Sequence, residues 1–324
     1  MSDMTLTDIT LAPARGDHSP GQGLARRLAF LRSANARHQI VGFLFVLPML
    51  TIMAVFKFYP TIQAFRLSLT NYDMLSEPEY IGLANYWSLL ADPLFHQSVG
   101  VTIYFVIGAA IPIWLLSLAL ALIFTLKMPA QSFLRTIYYL PCIIPTVVFA
   151  IVWRFMFHPY GVINAGLVAL GLPQLNWLTD PDAVIPALIF STDTRLIPFF
   201  MIIYLTAILN IPRDYYDAAS IDGANWIQRF WYITLPLIRP IILLVVIVSI
   251  ITLSKVFTSV LILTGGGPNG ASRVIPMFVY EMGLQYFKMG RASAASMFLL
   301  IALMVFTVIQ LKVFKDREDV GARA

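Results

Sequence analysis

Charge is scarce in this sequence. Asp, Glu, Lys and Arg together make 12% of the 324 residues and 59% are hydrophobic, so the charged share is about half that of an average soluble domain. A chain so composed lacks the polar surface to dissolve in water and reads as a membrane protein. Its net charge of +5 then points to a cytoplasmic lipid face rather than to nucleic acid. Cysteine is nearly absent: Cys142 stands alone, which excludes an intrachain disulfide and a multi-cysteine zinc site. The four histidines, His18, His38, His96 and His158, lack the close spacing of metal ligands. No secretory leader is expected either, since the first 39 residues hold no early apolar core with a small-residue cleavage site. The first apolar segment is therefore expected to be retained.

What is present is a series of long apolar runs. Six spans are expected, over 40–60, 98–126, 138–157, 183–210, 241–264 and 292–314, each close to the ~20 residues that cross a bilayer as helix. Lys and Arg number five before residue 40, two in the short connection 127–137, three in 211–240 and four from Lys312 onward. The loops 71–97 and 158–182 hold none, and the segment after Gly265 holds Arg273, Lys288 and Arg291. This asymmetry predicts an all-α membrane protein with both termini in the cytoplasm. It divides the chain into a flexible basic cytoplasmic tail (1–39), a first span with its external loop (40–97), a core (98–314) and a short cytoplasmic tail (315–324).

The main polar island between spans, 211–240, reads IPRDYYDAASIDGANWIQRFWYITLPLIRP. Pro212 opens a short helix whose early Asp214 and Asp217 suit the positive end of its dipole, and Asp222-Gly223 reads as the turn that ends it. Trp226, Phe230 and Ile233 then fall at i, i+4 and i+7 on a second short helix, stopped by Leu235-Pro236. Helices this short are marginal alone, so their apolar stripe is expected to dock on something larger.

Asp217-Ala218-Ala219, then Asp222-Gly223-Ala224, then Phe230, Ile233 and Leu235-Pro236 resemble the "EAA" coupling motif of ABC-importer membrane subunits of the sugar type, with Asp217 where that motif begins with Glu. The GLANY run at 82–86, the loop 161–181 and LTGGGP at 263–268 resemble the same family. The resemblance implies the type I ABC importer fold in a bacterial inner membrane. It also implies a second permease subunit, a cytoplasmic ATPase dimer that grips 211–240, and an external solute-binding protein delivering a sugar or related solute. Asp217, Ala218, Ala219, Asp222, Gly223, Ala224, Trp226, Phe230, Ile233 and Pro236 would form the ATPase-coupling surface. No cofactor and no catalysis are expected of this chain, and ATP with its magnesium belongs to the partner ATPase; LTGGGP lacks the Lys-Ser or Lys-Thr of a phosphate loop.

Charges within spans cost about 2.5 to 3.5 kcal/mol each on insertion scales, so they usually face a cavity or a partner. Arg154, Asp193, Arg195 and Lys255 are therefore candidates for the substrate pathway, with Ser254 and Thr258 beside Lys255. The plain alternatives are snorkelling for Arg154 and mutual pairing for Asp193 and Arg195. Basic groups among hydroxyls favour a hydroxylated solute with an anionic substituent, though sugars, glycosides, polyols, phosphates and sulfonates all stay open. A self-sufficient ion-coupled transporter is the competing reading. It would need intramembrane acids, of which Asp193 is the one candidate.

Overall fold

The computed structural model describes residues 34–126 and 128–321, in two compact units that divide after Ile62. The basic tail and the last residues of the chain lie outside the described residues, as does Lys127. The first unit carries α1 (Ala34–Met53), a π-helical turn (Ala54–Phe58) and the start of α2 (Tyr59–Ser68). This helix is apolar over 28 residues from Val41, and Pro48 lies within it without ending it.

In the second unit a two-residue antiparallel ladder, β1 (Thr70–Asn71) with β2 (Glu79–Tyr80), pairs Thr70 with Tyr80 and Asn71 with Glu79. The turn between them is held by Asp73, whose carboxylate accepts from the Ser76 amide at 2.8 Å, the Ser76 hydroxyl at 2.8 Å and the Leu75 amide at 3.1 Å. These bonds, led by the Ser76 amide, hold the exposed Asp73 carboxyl below its ordinary range. The GLANY run has a structural reason. Gly82 takes φ +61°, α3 (Ala84–Leu90) follows, and the buried Asn85 amide donates to the Ser68 and Thr70 carbonyls, both at 2.8 Å.

Two long helices form the centre, α4 (Pro93–Ile123) and α8 (Val184–Leu209). Asp92 caps α4 by accepting from the Leu94 amide at 2.9 Å. Phe105, Ala109 and Ile113 of α4 and Leu188, Phe200 and Tyr204 of α8 are almost wholly buried. Both helices run through their internal prolines, Pro112 and Pro198, which a bundle tolerates when neighbours satisfy the freed carbonyls. The final helix α15 (Met289–Gly321) packs its small residues Ala292, Ala294 and Ala295 into a second apolar cluster with Leu89, Phe95 and Phe278.

Two expected spans are not straight. The third is a bent pair, α5 (Gln131–Ile143) and α6 (Thr146–Met156), meeting at 98°. The expected basic connection therefore becomes helix from Gln131 onward. The break falls where Pro145 forces Ile144 out of helical space, to φ −66° and ψ 130°. The fifth breaks near its middle, with α12 (Arg239–Ser254) and the short α13 (Thr258–Leu263) separated at 255–257. Altogether four helices are long and apolar enough to cross a membrane, or six when two bent pairs each count as one span: α5 with α6, and the helical stretch Trp226–Leu237 with α12, which meet at 68°. The expected loop after Gly265 is partly helical as well, with α14 (Ile275–Tyr280) burying Met277 and Phe278.

The segment after α6 owes its shape to one side chain. Asn164, on α7 (Val162–Ala169), is fully buried. It accepts from the Leu175 amide and the Trp177 indole, each at 3.1 Å, and donates to the Leu175 carbonyl at 3.0 Å. Gly161 just before it admits no side chain, since a Cβ would lie 2.4 Å from the Phe155 carbonyl oxygen.

Candidate coupling surface and translocation pathway

Helix α8 ends at Leu209 and the chain turns through Pro212, which is extended and precedes the helix rather than opening it. α9 then spans Arg213–Ile221, with Asp214 in its first turn. Its end is a complete glycine cap: Gly223 adopts φ +78°, its amide donates to the Ser220 carbonyl at 3.2 Å, and the Ala224 amide donates to Ala219 at 2.9 Å. The next helix, α10 (Trp226–Arg229), begins with a capping box that the sequence reading missed. Asn225 Oδ1 accepts from the Gln228 amide at 2.9 Å, and Gln228 Oε1 accepts from the Asn225 amide at 2.7 Å. The spacing Asn-x-x-Gln carries that signal. Arg229 Nε closes the unit by donating to the Ala224 carbonyl at 2.9 Å.

The expected single stripe does not form. After Arg229 the backbone widens into a π-helical turn (Phe230–Thr234), so spacings of i+4 and i+7 no longer share one face. Phe230 and Ile233 are half-buried, whereas Trp226 is 73% exposed. Nor does Leu235-Pro236 stop the helix. The Leu235 amide bonds five residues back to Phe230, giving the proline ring room against the preceding turn. α11 (Leu235–Leu237) follows, and the turn comes at Ile238.

The result is a helix–turn–helix whose outer surface is aromatic, apolar and acidic. Tyr215, Ile221, Trp226, Trp231 and Tyr232 are all more than half exposed. Asp217, Ala218, Asp222 and Gly223 are exposed, and Ala219, Ala224 and Pro236 half-buried. Neither Asp217 nor Asp222 has an ion pair among the described residues. On the inner side the Tyr216 and Thr234 hydroxyls bond at 2.9 Å, and Tyr216 and Ile233 pack on the main core.

The pathway candidates separate into two cavities and a remainder. One cavity of about 210 Å³ brings together Arg195, Lys255 and Thr258 with Thr146, Ser191, Thr192 and Ser259. A second, of about 610 Å³, is lined by Arg154 with Phe157, His158, Asn176, Trp177 and the end of α13. Arg154 Nη1 reaches the Ile262 carbonyl at 3.5 Å. Lys255 does not sit in mid-helix as expected; it caps α12 at the break. Ser254 and Asp193 are buried and line neither cavity. Asp193 and Arg195 do not pair, and Asp193 Oδ1 is buried without a hydrogen-bond partner among the described residues. LTGGGP ends α13: Gly265 and Gly266 have positive φ, and Thr264 Oγ1 bonds Ser272 Oγ at 2.7 Å.

A bundle with broken spans and a polar helix–turn–helix inserted between two of them is the architecture of a transport subunit. The chain belongs to the family of binding-protein-dependent transport system inner membrane components, which it matches over residues 115–317. The trehalose/maltose transport system permease protein MalF of Thermococcus litoralis is 33% identical over 288 residues, 87% of this chain and 96% of that protein. The lactose transport system permease protein LacF of Rhizobium radiobacter is 32% identical over 287 residues, 87% of this chain and 95% of that one. The crystal structure of a bacterial alginate ABC transporter, in complex with its alginate-bound periplasmic protein, contains a chain that superimposes with a TM-score of 0.76. That chain is 25% identical, and the match covers 85% of this chain and 94% of it. The fold is accordingly that of type I ABC importer transmembrane subunits, and the chain is a multi-pass membrane permease.

Proposed function

We propose that this chain forms half of the translocation pathway of an ATP-driven, binding-protein-dependent sugar importer in a bacterial inner membrane, and that 211–240 is the surface its cytoplasmic ATPase dimer grips. The observation that carries the reading is the exposed surface of α9 and α10. The C-terminal end of α9 and the N-terminal end of α10 are satisfied internally, while the exposed Trp226, Asp217 and Asp222 have no hydrogen-bond or ion-pair partner among the described residues. Exposed aromatics around a defined helical turn are what a partner groove recognises. The relatives named for trehalose/maltose and for lactose support a saccharide as solute, and cavity walls rich in hydroxyls suit one. A second permease subunit would complete the pathway and an external binding protein would load it. Closure of the ATPase dimer around ATP and magnesium would move α9 and turn the cavities outward; that chemistry is the partner's.

Orientation provides one check. Reporter fusions after Gln39, Lys127 and Asp222 are expected to report cytoplasm, and fusions at Asn85 and Asn176 the exterior, following the Lys and Arg asymmetry. A cytoplasmic signal at Asn176 would break the six-span arrangement. Energy source provides another. The buried Asp193, whose Oδ1 has no hydrogen-bond partner among the described residues, is the observation on the side of ion coupling. The purified chain alone is expected to move no saccharide in liposomes under a proton or sodium gradient, and the assembled complex to require ATP. Gradient-driven uptake by the chain alone would replace the importer reading with that of a secondary transporter.

A further inference from the structure

We propose that the imported solute is an anionic saccharide, and that the cavities at the two ends of α13 are successive stations for its negative group. This rests on the importer reading above and narrows its substrate class.

Every fully charged side chain that lines either cavity is a cation: Arg195 and Lys255 in the smaller, Arg154 in the larger. No Asp or Glu lines either one. Elsewhere in the fold two cations are neutralised at close range, Arg273 by Glu281 at 2.7 Å and Arg291 by Asp92 at 2.6 Å, and two more, Arg135 and Arg229, are held by backbone carbonyls. The three cavity cations have no carboxylate partner among the described residues. Within membrane spans, uncompensated charge is costly and is retained where a pathway uses it. A neutral sugar would offer them only hydroxyl oxygens as acceptors and leave their charge uncompensated, whereas a carboxylate or sulfonate would take a forked pair from Arg195 and a point charge from Lys255.

The remaining walls fit the rest of a saccharide. Thr258 and Ser259 offer hydroxyls in the smaller cavity, and Trp177 offers a flat apolar wall in the larger. α13 connects the two. Its first residues border the smaller cavity and Leu261–Leu263 the larger, and six helical residues rise only about 9 Å. The walls of the two cavities are therefore joined by a single short helix.

The test uses the complete complex with its binding protein in proteoliposomes, and one disaccharide in three matched forms: neutral, 6-carboxylate and 6-sulfonate. An acidic form is expected to bind the binding protein and drive uptake at least tenfold better than the neutral form. Preference for the neutral form overturns the anionic assignment and leaves the sugar importer standing; failure of every saccharide in a broad panel removes both. Lys255→Gln and Arg195→Gln are expected to raise KM for the acidic form about tenfold or more, the loss of one charge-assisted bond. They should raise KM for the acidic form several times more than for the neutral form, and Lys255→Arg should restore the acidic form. Equal loss for both forms, or release of the partner permease when the Lys255→Gln complex is purified, would show these cations neutralised by protein carboxylates and overturn the proposal.

Discussion

Gly223→Val is expected to give a chain that inserts in the membrane normally but whose complex no longer couples solute to ATP hydrolysis. Gly223 sits at φ +78° with open space around its α-carbon, so the penalty is conformational rather than a clash. A β-branched residue there costs about 1–3 kcal/mol in the left-handed region. α9 has nine residues and little stability of its own, so the cap yields before the helix does. Losing it frees the Ser220 and Ala219 carbonyls from Gly223 and Ala224 and re-aims α10 with Trp226. Gly223→Asn, which tolerates this backbone, is expected to retain most activity. Co-purification with the ATPase and solute-stimulated ATP turnover in the reconstituted complex are the measurements. Wild-type values for Gly223→Val in both would remove 211–240 from the coupling role.

Gly290→Ala is expected to be the most damaging single methyl in the fold. A Cβ there would stand 2.1 Å from the Thr70 carbonyl oxygen and 3.0 Å from Asn85 Nδ2, at the place where the Gly290 amide itself donates to Tyr72 at 3.0 Å. Backbone held on both sides cannot give way, so the expected loss is about 3 kcal/mol or more. Gly108→Ala also places a Cβ too close, 2.5 Å from Ile189 Cδ1, but a methyl at the end of a side chain can turn aside. It is expected to cost about 1 kcal/mol. Thermal unfolding of the purified protein should rank Gly290→Ala well below Gly108→Ala, with Gly166→Ala, which meets nothing within 4 Å, near wild type. The reverse order would mean that the packing of α15 against the β1 region is wrong.

The apolar runs of α4, α8 and α15 were readable because a span is defined by summed hydropathy, which needs no partner. The turn at Asp222-Gly223 was readable because Gly is the one residue that takes its backbone without cost. The breaks were harder. Pro141 and Pro145 lie four residues apart in similar surroundings, yet the chain breaks at Pro145 and runs straight through Pro141; which proline breaks a helix is decided by what can satisfy the freed carbonyls. The π-helical turn before Pro236 has no composition of its own, and it scattered the Trp226, Phe230 and Ile233 stripe that a regular helix would have aligned. Arg195 and Lys255 sit 60 positions apart in the sequence, so their shared cavity depends on how α8 meets the break between α12 and α13. No spacing rule encodes that meeting.

The polar loop between α8 and α12 is closed upon itself. The glycine cap of α9, the reciprocal Asn225–Gln228 bonds and the Arg229–Ala224 bond leave few soft joints between Arg213 and Arg229. A lever loses stroke to its own compliance. If a partner pushes on this loop, a displacement of one or two ångströms at Trp226 reaches α8 and α12 as motion instead of being absorbed in bending. The stiffness of some seventeen residues, set by bonds that touch neither nucleotide nor solute, would then limit how much of each ATP-driven stroke arrives at the cavities.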